Sequence, residues 1–131
     1  MELMSNRAET TTWGWGDITF RIRTTVTAMD EFTIMNLPTE QHSDKKFYYK
    51  REEFFKKLIE RFVVDWQGVT DNGRVIPYSF EVLELLPARE RNEGELPPKG
   101  TVFEDLGSYI RDGIWNPYVE KVTSLKKDSG K

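Results

Sequence analysis

Residues 49–64 constrain the fold most. Phe54, Leu58 and Phe62 recur at i, i+4, and Phe55, Ile59 and Val63 repeat the spacing beside them. Together they make the broad apolar stripe of a helix that covers a core. Glu52–Lys56 and Glu53–Lys57 stand on the polar side at i, i+4, with the acid N-terminal to the base, the favourable order for such pairs. A helix this one-sided needs a layer to close onto. Residues 17–28 offer one: Ile18, Phe20, Ile22 and Val26 point one way, and Thr19, Arg21, Arg23, Thr25 and Thr27 the other. Period-two alternation rich in β-branched residues predicts a half-buried strand.

Other elements follow from local signals. Residues 32–37 read as a second antiparallel strand, or residues 29–32 open a short helical turn; the pattern leaves both open. Residues 38–46 read as a polar loop holding the only histidine, His42. Asn72-Gly73 marks a tight turn between Val69-Thr70 and Arg74-Val75-Ile76, and Pro77 closes the second arm. Ser79 is an N-cap for residues 80–86, and Pro87 stops that helix. Residues 89–100 read as a mobile, charged loop. Thr101 and Glu104 match a capping box. Phe103, Leu106 and Ile110 then line a helix ending near Gly113, and Asn116-Pro117 starts a last short helix. The expectation is an α+β fold: a small antiparallel sheet, from N-terminal strands plus a hairpin near 66–78, packed with three to four helices. Residues 1–12 read as a flexible polar arm, 13–122 as one domain and 123–131 as a polar tail.

Charge and composition narrow the function. With 19 basic and 22 acidic residues the net charge is −3, which argues against nucleic-acid binding, where phosphate neutralisation favours a basic excess. Residues 44–61 carry a balance of +3 and residues 79–105 one of −4. Solvated helix faces account for this; patches that meet in self-association or face a partner are the alternative. No cysteine is present, so disulfides and thiolate metal sites are excluded. No apolar run approaches the ~20 residues needed to span a bilayer, and the N-terminal 15 residues have no signal-peptide character, so the chain is expected to stay where it is made.

The residues also give no catalytic signature. There is no phosphate-cradling loop and no Gly-rich dinucleotide turn. One histidine and no cysteine leave no nucleophile–base arrangement and no zinc set. Asp65 and Asp71 lack the spacing of a calcium loop, so turn chemistry explains them better. The expectation is a non-enzyme without cofactor or metal. Eight Phe, five Tyr and four Trp exceed what one small core obviously needs, which makes protein binding the default. Trp13 and Trp15, two apart, share a face of an extended segment. They either plug an edge of the core or form an exposed patch of the kind enriched at hot spots.

One stretch carries a family resemblance. The segment Arg61-Phe62-Val63-Val64-Asp65-Trp66-Gln67-Gly68-Val69-Thr70-Asp71-Asn72-Gly73, followed by Ile76-Pro77-Tyr78-Ser79 and then Val82-Leu83-Glu84-Leu85-Leu86, resembles tail assembly chaperones and chaperone-like minor tail proteins of long-tailed bacteriophages. Residues 26–32 are similar to the family's strand and acidic–aromatic turn. The likeness covers roughly residues 17–115, and its specific part is residues 62–79. It implies a protein that binds the tape measure protein, and in some settings the tail tube protein, during tail morphogenesis in the host cell cytoplasm. A structural tail or head-completion component retained in the virion is the alternative. The candidate partner contacts are Trp13, Trp15, Trp66, Tyr78 and Trp115. The family also often makes a longer product by ribosomal frameshifting, for which Lys126-Lys127 is a candidate site and an ordinary charged tail the simpler explanation.

Overall fold

A computed structural model describes residues 9–91 and 93–129, with side chains to residue 125. The arm residues 1–8, Asn92, residues 130–131, and the side chains of Lys126 and Lys127 lie outside the described residues. The chain opens with β1 (Thr10–Trp15) and β2 (Ile18–Arg23), joined by a two-residue turn at Gly16-Asp17. After α1 (Ala28–Met35), β3 (Thr39–Gln41) and β4 (Phe47–Tyr49) comes α2 (Arg51–Phe62), which runs without a break into β5 (Val63–Gln67). β5 pairs antiparallel with β2, so the central sheet has the order β1-β2-β5. The fold is α+β, as the periodicity predicts.

The core lies between this sheet and the helices. Phe20 and Ile22 from β2 meet Leu58, Ile59 and Phe62 from α2, and all five are fully buried. Then follow a β6–β7 hairpin (Thr70–Asp71, Arg74–Val75), the single-turn α3 (Phe80–Leu83), a β8–β9 hairpin (Arg89–Glu90, Lys99–Gly100) and α4 (Val102–Ile110). α4 packs across α2. Their approach depends on Gly107, where a Cβ would sit 2.4 Å from Phe55 Cγ, well inside van der Waals contact.

Several local expectations need correction. Residues 10–12 are not arm but the start of β1, because their backbone pairs with residues 21–23. Of the two readings of residues 29–37, the helical one holds. Thr27 caps the helix: its hydroxyl accepts the Asp30 N–H and the Asp30 carboxylate accepts the Thr27 N–H. The 38–46 loop is largely a β3–β4 hairpin, with His42 exposed at its turn, stacked on Tyr48 and bonded to Glu40. The charged 89–100 segment forms a short ladder tied to α4 by Arg91, which pairs with Glu104 at 3.0 Å and Asp105 at 3.4 Å. No break occurs at Gly113. α4 continues through one π turn (Arg111–Trp115) into α5 (Asn116–Ser129), which takes in most of the expected tail. The wide turn draws Ile114 and Trp115 into the core, and Pro117, which cannot donate a backbone hydrogen bond, falls just after it.

Candidate functional site

Trp66, Gly68, the Asn72-Gly73 turn and Ser79 of the motif each have a part in the fold. Trp66 is anchored by Nε1, which donates to the Ile76 carbonyl at 2.8 Å, and lies edge-on to Phe20 and Tyr78. Gly68 holds φ +95°, and a Cβ there would lie 2.2 Å from the Asp17 carbonyl oxygen. Both features require glycine. Asn72 and Gly73 have φ of 50° and 79°, the geometry of the predicted tight turn, and the Ser79 hydroxyl caps α3. Burial, then the nearby Glu60 carboxylate, push the Tyr78 hydroxyl up to about 12. Tyr78 is therefore neutral and half-buried, a packing residue.

The other expected contact residues are mostly interior as well. Trp15, Trp66 and Trp115 are only 7%, 5% and 3% exposed. Trp15 Nε1 donates to Asp105 Oδ2 at 2.9 Å, and Trp115 packs against Tyr118. These three are corrected from partner contacts to core: with two to three times the area of an aliphatic side chain, a tryptophan stabilises most when buried. Trp13 stacks on Tyr109 at 5.4 Å and is half-exposed. The five residues do not converge on one surface.

Within the motif the exposed large apolar side chains are Val64 and Val75, at 44% and 79%; a group of three stands on α1. Met29, Phe32 and Met35 are 60%, 67% and 44% exposed. At i, i+3 and i+6 they occupy one broad outer face of α1, directly opposite buried Asp30 and Ile34. α1 is held rigidly. Arg23 grips the Asp30 carboxylate with both guanidinium nitrogens, Nη1 at 2.7 Å and Nη2 at 3.0 Å, and Arg61 Nε adds a third bond at 2.8 Å. Thr27 N–H adds a fourth at 2.9 Å. Arg23 also lies over the Phe62 ring and donates to the Arg61 carbonyl. Burial on its own would raise the Asp30 carboxyl; the bonds from Arg23, Thr27 and Arg61 outweigh it and hold the group below its ordinary 3.8. A carboxylate with both oxygens so occupied is an anchor, with no lone pair facing a substrate. From the other side the Tyr118 hydroxyl of α5 donates to Glu31.

Clefts also mark the surface. One of about 330 Å³ lies between α2 and the start of α4, lined by Arg51, Phe55, Lys56 and Phe103 among others. Arg51 and Arg111 each lie over the Phe55 ring. An open groove of about 570 Å³ follows the β1–β2 turn, residues 68–70 and residues 86–90. Among the described residues no group of three or more His, Asp or Glu side chains could hold a metal ion, and no helix is long and apolar enough to cross a membrane. No protein-family model matches the sequence, and neither a curated protein nor a solved structure shows significant similarity to it.

Sequence reasoning missed the α1 face because two Met and one Phe beside an acidic pair carry no motif. The signal that finds it is Thr27-x-x-Asp30: once read as a helix cap, it turns residues 29, 32 and 35 outward together.

Proposed function

We propose that this protein is a tail assembly chaperone of a long-tailed bacteriophage, and that it holds the tape measure protein through the outer face of α1. The observation that carries the binding role is the exposed Met29–Phe32–Met35 face on a helix clamped at its first turn. A preordered helix spares the ordering cost of binding. Methionine adapts to many apolar shapes, which suits a chaperone that must cover successive stripes of a long helical client and later release them. The likeness of residues 62–79 to the phage family supplies the identity of the client. In this reading the protein acts in the host cell cytoplasm and is absent from the finished virion.

Co-purification with tape measure fragments tests the proposal. Phe32→Ser should weaken capture by at least about tenfold, as loss of a central aromatic anchor does, with Met29→Ser and Met35→Ser weaker in effect. Unchanged capture by the folded triple variant would rule out the α1 face. Mass spectrometry of purified particles separates a released chaperone from a retained tail or head-completion component.

A further inference from the structure

The two edges of the central sheet are not alike. On β5 the register with β2 shifts between Arg21 and Ile22, and the Asp65 carboxylate takes the Trp66 N–H at 2.9 Å. An irregular, charged strand that satisfies its own backbone is a protected edge. β1, Thr-Thr-Thr-Trp-Gly-Trp, has no charge, no proline and no bulge.

The phase of the β1–β2 ladder is fixed by the bond from Thr24 N–H to the Glu9 carbonyl, 2.9 Å. In the β1–β2 register, residues 9, 11, 13 and 15 turn their backbone groups toward β2, and Thr10, Thr12 and Gly14 turn theirs away from the sheet. Those three residues are exposed. Beside this edge, on the core side, lies an open cleft of about 190 Å³ lined by Trp13 and Trp15, the bases Arg89 and Arg91, and the acids Glu90, Glu95 and Asp105. The Arg89 guanidinium lies 5.5 Å from the Trp15 ring.

We infer that β1 pairs antiparallel with β1 of a second copy of this chain, with the two-fold axis through Thr12. This is the one register that engages Thr10, Thr12 and Gly14 of both copies: Thr12 faces its own counterpart and Thr10 faces Gly14. Three hydrogen-bonded pairs join two three-stranded sheets into one of six. The same register sets Thr11 across from the half-exposed Trp13. It also sets the exposed Glu9 across from Trp15, on the face of the sheet that carries the Trp15 ring. Each copy thereby brings a carboxylate to the cleft where the other holds Arg89, and the two-fold axis makes the pair twice. No like charges meet along the three hydrogen-bonded pairs, since β1 has none; at each end Arg91 is already held by Glu104 and Asp105, and Arg89 is the base that Glu9 meets, beside Glu90 and Glu95. The self-complementary strand and the acid–base match at both its ends identify the occupant as another copy rather than an unrelated strand.

Sedimentation across a dilution series tests this with the full chain. The wild type should dimerise reversibly, and the Thr12 and Gly14 amides should gain exchange protection as the dimer forms. Thr12→Pro removes a donor that the β1–β2 ladder does not use, and should raise the dimer dissociation constant at least about tenfold. Glu9→Arg and Arg89→Glu should each weaken the dimer, and the double swap should restore it, because repulsion in the single variants becomes attraction in the double. Two results would overturn the proposal: a wild type that stays monomeric at about 0.5 mM, or a dimer indifferent to Thr12→Pro and to both charge changes.

Discussion

Two short segments place large apolar side chains in opposite ways. In residues 63–79, Val63, Trp66 and Val69 turn inward, and the turns between them are set by Gly68 and Asn72-Gly73. In α1 Met29, Phe32 and Met35 turn outward, and a polar group, Asp30, is sealed inside beside Ile34. The conspicuous tryptophan of the motif is thus scaffold, while three unremarkable residues share one exposed apolar face of a helix. Size and rarity mark residues that the fold needs. Partner surface is better sought where a rigidly held element keeps apolar side chains that its own packing does not use.

The contrast can be broken most forcefully at Trp66. Trp66→Ala should cost about 3–5 kcal/mol, the range for emptying a buried aromatic site, read as a fall in the urea midpoint. A loss under about 1 kcal/mol would mean that the motif is not scaffold. Next comes Asp30→Asn. Removing the charge leaves the partly buried Arg23 and Arg61 without their counterion inside the fold and should cost about 3 kcal/mol. Its pH dependence sharpens the point. The Asp30 carboxyl lies below its ordinary 3.8 in the folded chain, so its stabilisation is complete above that value and fades as pH falls through the lower, native one. The stability gap between wild type and Asp30→Asn should therefore be constant near neutrality and narrow in acid. A gap that widens in acid would reverse the assignment. The smallest effect belongs to Phe32→Ser, expected within about 0.5 kcal/mol of wild type because the side chain stands in solvent. A larger loss would show that the α1 face packs against something within the chain.

These positions also mark what could be read before the fold was known. The α2 stripe was legible because six apolar and four charged positions keep one period over three turns, and the Asn72-Gly73 turn because few residue pairs accept positive φ twice. The cap of α1 was hidden. Thr24, Thr25, Val26 and Thr27 continue the β-branched run of β2, so strand periodicity masks the Thr27–Asp30 exchange that ends it. The two arginines that hold Asp30 come from positions 23 and 61, and only the folded chain brings them together. Gly113 and Asn116-Pro117 carried a genuine stop signal, overridden by the burial of Ile114 and Trp115 between them. Of the five expected contact residues, Trp13 alone combines partial exposure with a place on an open edge. Neither property follows from sequence without the strand register.

The π turn at residues 111–115 also acts as an angular gauge. One turn wound wider than its neighbours offsets everything after it by roughly the 100° that a residue contributes to an α-helix. Deleting a single residue there would let the segment relax to ordinary winding and swing α5 about its axis, carrying the Tyr118 hydroxyl away from Glu31. The apolar face of α1 would then lose its lateral brace without any change in its own sequence.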